Sequence, residues 1–235
     1  MRLLVEIMPT RSRKKLEALL EAVAGRVDEV FVPDSPLGIP KASVLPIAAI
    51  AVERGLRVAI SLRVIDYSWT GLVNQIYGAY LVGVSEILFL RGDRPPRGTI
   101  VGDVSPEEAL SMLRSDPKLS GIRGGLTISL RRQPEDIEKR LRARADFYVV
   151  LRKNEEKLGV LRSSGALERG ELLGYAIVIT PENRGLVKSR LQTEDSVEAE
   201  LLAEYLDKWK GLLDGMIVSL PALGPSEISR VLGRL

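Results

Sequence analysis

The 235-residue chain contains no cysteine and no histidine. The first absence excludes disulfides, thiolate metal sites and cysteine nucleophiles. The second removes imidazole as metal ligand and general base. Proton transfer near neutral pH then falls to a carboxylate or lysine whose pKa is shifted by its surroundings. No uninterrupted apolar run is long enough to cross a bilayer. Glu6 interrupts the one apolar segment near the N-terminus, which argues against a secretory leader and for a cytoplasmic protein. The net charge of +3 is spread along the chain. That is too weak to argue for nucleic acid, although it suits an anionic cofactor.

The most informative stretch runs from Gly83 to Pro96. Residues 85–90 are an apolar run of the kind buried on both faces in a parallel sheet. The run breaks into Arg91-Gly92-Asp93, where glycine permits close backbone approach, and Pro95-Pro96 stiffens the exit. Similar short runs at 3–7, 29–32, 57–62, 125–130, 146–151, 173–179 and 216–220 bring the predicted strands to eight.

Helical patterns separate the strands. Thr10 or Ser12 is a candidate cap for the first helix, and Ser105, Pro106 and Glu108 form a capping-box signature. Residues 135–144 and 155–167 read as helices. Residues 182–192 show no clear period and read as a mobile loop, and Asp195 and Glu198 as the start of the longest helix. Eight βα units without a linker predict a single (β/α)8 TIM barrel spanning 1–235. An open doubly wound sheet is the rival, and Met8-Pro9-Thr10 stands where its glycine-rich fingerprint would be.

A barrel of this type builds its active site at the C-terminal ends of its strands. Those ends carry Glu6, Asp34, Ser61, Asp66, Arg91, Asp93, Ser129, Arg131, Arg132, Arg152 and Thr180. Glu6 stands out because an inward carboxylate is pushed toward its protonated form by burial. Two readings are open for it: a proton donor, or half of a buried pair with an arginine such as Arg91. The carboxylates are dispersed and histidine is missing, so no metal site is expected.

Several of these residues also resemble a known family. Val5-Glu6-Ile7-Met8-Pro9-Thr10, Val32-Pro33-Asp34-Ser35-Pro36-Leu37-Gly38, Tyr77-Gly78-Ala79-Tyr80-Leu81-Val82-Gly83 and Leu90-Arg91-Gly92-Asp93 resemble motifs of the methylenetetrahydrofolate reductases in order and spacing. The phrases are most similar to the reductase domain fused to homocysteine methyltransferases. The resemblance implies a flavin-dependent oxidoreductase of one-carbon metabolism that binds FAD. Its substrate would be a methylene group on a reduced pterin, tetrahydrofolate or a modified one. NAD(P)H or a protein donor would supply electrons, and a homo-oligomer or redox partner would be possible. Glu6 and Asp93 would be catalytic. Pro33, Ser61, Leu90, Arg91, Gly92, Asp93, Ser129, Lys139 and Arg140 would contact the flavin, the last two at its phosphates. Lys139 and Arg140 also read as a solvated helix face. A non-catalytic flavin- or pterin-binding barrel subunit is the alternative function.

Overall fold

The computed structural model describes residues 1–163, 165, 170–191 and 193–235. The predicted Leu167 end of the sixth helix lies outside them. Among the described residues, strands β1 (Arg2–Glu6), β2 (Glu29–Val32), β3 (Val58–Arg63), β4 (Glu86–Leu90), β5 (Arg123–Ser129), β6 (Phe147–Leu151) and β7 (Glu171–Ile179) pair in parallel with their sequence neighbours. Two further strands follow, β8 (Ser196–Glu198) and β9 (Gly215–Ser219). β9 pairs with β7 on one edge and with β1 on the other, which closes an eight-stranded barrel.

Helices α1 (Arg13–Val23), α2 (Val44–Glu53), α3 (Trp69–Val82), α4 (Pro106–Ser115), α5 (Pro134–Leu141), α6 (Glu155–Ser163), α7 (Arg184–Arg190), α8 (Leu202–Trp209) and α9 (Pro225–Leu232) surround it. Starts follow local chemistry. Ser12, not Thr10, caps α1 by accepting from Lys15 N–H, and Ser105 and Glu108 complete the box on α4. Among the described residues no helix is long and apolar enough to cross a membrane.

Two segments differ from expectation. The predicted loop at 182–192 contains α7, and the longest helix is α3 rather than one beginning at Asp195. β8 occupies that place instead. Ile177 pairs with Ser219 of β9 and with Ser196 of β8, so β8 must use the other edge of β7, above the point where β6 ends. It raises that part of the barrel wall by three residues.

Strand alternation sorts side chains into an outer apolar layer against the helices and a lumen. The lumen's middle is Leu4, Phe31, Ala59, Leu88, Phe147, Val149, Leu173 and Ile217. Gly125 makes room there, since a Cβ on it would lie 2.2 Å from the Phe147 ring. The N-terminal end of the lumen is charged. Glu86, fully buried, accepts from Arg2 at 2.6 and 3.0 Å and from Arg123 at 2.7 Å. Glu171 and Glu29 complete the cluster, at 3.5 and 3.6 Å from Arg2.

Removing Glu86 takes away the buried carboxylate that joins Arg2 to Arg123 and leaves them the partly exposed Glu171, with Glu29 beside Arg2. Glu86→Ala should cost about 3 kcal/mol in denaturant unfolding, at the low end for a broken buried pair because both arginines keep some solvent contact. A loss below about 1 kcal/mol would mean that the floor behaves as solvated surface.

Candidate functional site

At the opposite, C-terminal end the lumen becomes polar. Glu6 projects inward from the last position of β1. Its Oε1 accepts from the Ser219 hydroxyl at 2.6 Å and its Oε2 from the Tyr175 hydroxyl at 2.5 Å. These partners come from β9 and β7, the two strands nearest on that side. Protein surrounds the carboxyl, while part of the residue's surface opens into the mouth. Burial pushes Glu6 above the usual carboxylate range, and the hydrogen bonds from Ser219 and Tyr175 pull in the opposite direction without cancelling it. Burial and the neighbouring Glu6 likewise hold the Tyr175 phenol well above its ordinary value. The Tyr175 ring is fixed edge-on to Phe31, with centroids 6.4 Å apart. Of the two readings open for Glu6, the arginine pair is not found among the described residues: hydroxyls hold it.

The loops after β2, β3 and β4 are tied together by Arg63, whose importance the sequence reading missed. Its side chain is 2% exposed. Nε donates to Asp66 at 2.8 Å, Nη1 to the Ser35 carbonyl at 2.9 Å and Nη2 to the Asp93 carbonyl at 2.7 Å. Gly92, at φ +87°, lies against this side chain, and a Cβ there would come within 2.9–3.1 Å of its Cγ, Nε and Cζ. The available signal was an arginine ending an apolar run three residues before an aspartate.

The other candidate residues take varied places. Asp34 donates its N–H to Ser61 Oγ and accepts from Arg63 N–H, and burial raises its carboxyl. Arg91, Asp93 and Arg94 are exposed on the β4 loop. Pro33, after β2, is buried, and Leu90 is half-buried in the lumen. Thr180 is buried against Asn183, which also binds the Val178 and Pro221 carbonyls. Ser129 accepts from Arg152 at 3.3 Å. Arg132 lies 3.8 Å from Asp136.

Lys153 was also missed. It is buried on the outer side of the wall, where its ammonium meets Asp195 and the Tyr175 carbonyl and sits 5.5 Å from the rings of both Tyr205 and Trp209. Burial pushes this amine down and Asp195 pushes it back up. It anchors α8 rather than opening into the mouth. A cleft of about 460 Å³ between α3 and α4, lined by Trp69, Tyr77, Glu108 and Met112 among others, is likewise outside the barrel.

No protein-family model and no curated protein matches the sequence. Solved structures do. A tryptophan synthase complex from Pyrococcus furiosus is 13% identical, with a TM-score of 0.59 over 99% of this chain and 95% of that one. Tryptophan synthase from M. tuberculosis is 14% identical, with a TM-score of 0.59 over 99% and 90%. A protein of Aquifex aeolicus VF5 is 12% identical, with a TM-score of 0.60 over 98% and 90%. The likeness is one of fold.

These neighbours overturn the resemblance to the methylenetetrahydrofolate reductases. The flavin-dependent oxidoreductase and its place in one-carbon metabolism fall with it. So do the non-catalytic flavin- or pterin-binding subunit, FAD, NAD(P)H or a protein electron donor, and the pterin substrate. The local chemistry explains why the motifs misled. Ser61 is engaged with Asp34, and Gly92 with the Asp93 carbonyl clasps Arg63, so these residues secure barrel loops. Lys139 and Arg140 lie in the last turn of α5, where Arg140 pairs with Glu107 of α4 at 3.3 Å.

The raised pKa of Glu6 fixes the sign of a pH effect. A carboxyl raised in the folded state favours folding below the ordinary glutamate range and loses that contribution as pH climbs through its raised value. Gln mimics the neutral form. The melting temperature of Glu6→Gln relative to wild type should therefore rise as pH climbs above the ordinary glutamate range, and level off once Glu6 is ionised in the folded protein. A difference that shrinks over that climb would mean that Glu6 is stabilised as the anion.

Proposed function

We propose that the chain is an acid–base enzyme of lyase type, in which Glu6 gives a proton to, or takes one from, a small substrate as a bond to a neighbouring carbon breaks or forms. The observation that carries this reading is the environment of Glu6: enclosed, without a cation, open on one side and held by two hydroxyls. Burial favours the acid, and the Tyr175 and Ser219 hydroxyls already point at the oxygens that bear charge once the proton has left. Donors placed in advance limit the cost of the anion, which brings the acid's pKa toward a working range. A carboxyl salt-bridged to arginine would stay ionised and could not donate.

The names of the fold neighbours support an enzyme, and a lyase in preference to an oxidoreductase. Arg91, Arg94 and Arg97 are exposed on the β4 loop with no side-chain partner among the described residues, which favours an anionic substrate. Asp93, on the same loop, is proposed to orient that substrate. Association with a second protein chain belongs to the same proposal. Two of the neighbours are complexes, and α3, whose 14 residues include no ionisable acid or base other than tyrosine, exposes Trp69, Tyr77, Tyr80 and Leu81. The chain is proposed to act as one domain, in the cytoplasm, where a cysteine-free protein forgoes nothing.

Deuterium uptake tests the chemistry. Incubation in D2O with a panel of phosphorylated and carboxylated small molecules, followed by proton NMR and mass spectrometry, should find compounds that exchange or cleave. Glu6→Gln should slow that turnover by about 10²–10⁴ while leaving the fold intact. Turnover unchanged in Glu6→Gln would remove Glu6 from the chemistry.

A further inference from the structure

The part of such barrels that often receives an anionic group, the loops after the last two barrel strands and the helix N-terminus beyond them, is filled here by the chain itself. The Gly224 N–H at the start of α9 donates to Glu227 at 3.1 Å. Asn183 bridges the β7 and β9 loops through Thr180, Val178 and Pro221. An anion has little to bind on that side.

The β5 and β6 ends differ. Arg152, directly after β6, holds its backbone at φ +56°, a left-handed conformation that a branched-free but bulky residue adopts at a cost. Its N–H is pinned to Asp195 Oδ2 at 3.1 Å, and its Nη1 reaches Ser129 Oγ at 3.3 Å. Its Nε is shielded from solvent and makes no hydrogen bond. Glu194 Oε2 stands 3.8 Å from that nitrogen, within ion-pair range only, while Glu194 Oε1 pairs with Arg131. A carboxylate from the chain thus lies between two guanidiniums, one of which also reaches a serine hydroxyl and keeps one donor unused.

We infer that Arg152, Arg131 and Ser129 form a receptor for the terminal oxyanion of the substrate, a phosphate monoester or a carboxylate, and that Glu194 occupies it in the substrate's absence. This rests on the proposed acid–base reading and names its substrate class. An arriving oxyanion gains the free Nε donor and a charge-assisted fork that one shared carboxylate does not satisfy. β6 neighbours β7, which carries Tyr175, and β1 lies three strand intervals from β6, roughly 14 Å along the wall at ordinary strand spacing. A substrate anchored at Arg152 would therefore extend across the mouth toward Glu6.

Inorganic phosphate and acetate serve as probes, titrated into the full chain by calorimetry at low salt. Phosphate should bind, more tightly than acetate if the natural group is a phosphate and less tightly if it is a carboxylate. Glu194→Gln removes the internal competitor and should tighten binding about 3- to 5-fold. Arg152→Gly should weaken it at least tenfold while keeping or raising the melting temperature, because glycine accepts the left-handed backbone and leaves the bond to Asp195 in place. Glu6→Gln should leave probe affinity unchanged, so loss of the anion site and loss of the acid–base reading are separable. The inference is overturned if neither probe binds, if Arg152→Gly binds as wild type does, or if Glu194→Gln has no effect on affinity.

Discussion

A side chain that points into a closed barrel has no alternative direction, because the next residue along the strand already faces the helices. Everything placed in the lumen must therefore be satisfied there. The chain meets that constraint in three ways along the barrel axis. Arginines pair with carboxylates at the floor around Glu86, apolar side chains fill the middle, and hydroxyls hold the Glu6 carboxyl at the mouth. The last of the three holds its carboxyl with hydroxyl donors.

Two of the inward carboxyls contrast. Glu86 and Glu6 are both inward residues on barrel strands, yet among the described residues Glu86 faces two arginines and Glu6 faces none. Paired with cations a carboxylate is a structural anion, and it is costly to disturb. Paired with neutral donors it is poised, since burial favours the proton and the hydroxyls favour its departure. The same contrast separates Lys153, buried against Asp195 under α8, from Arg152 one residue earlier, which points the other way across the wall toward Ser129.

The eight barrel strands were legible because each is a compact apolar run bounded by breakers, and their strict alternation with helical patterns leaves few topologies. Glu6 was legible for the opposite reason, as a charge in the wrong place. β8 and α7 were not, because three strand residues and seven helical ones carry too little periodicity to separate from a charged loop. Arg63 escaped because its partners are mostly carbonyl oxygens, which leave no trace in residue identity. The reductase resemblance failed on a related ground: prolines, glycines and charges at strand ends are what barrel loops need to turn and interlock, whatever chemistry they frame.

The account turns on whether Glu6 is an acid at the pH where the protein is folded and active. A carbon-13 titration of the glutamate carboxyls, with the Glu6 signal assigned by its absence in Glu6→Gln, measures this directly. The account predicts a midpoint clearly above the ordinary glutamate value of about 4.3, and a further rise in Ser219→Ala, which removes a donor to the anion. A midpoint at or below that ordinary value would contradict it, making Glu6 a permanently charged member of the barrel wall.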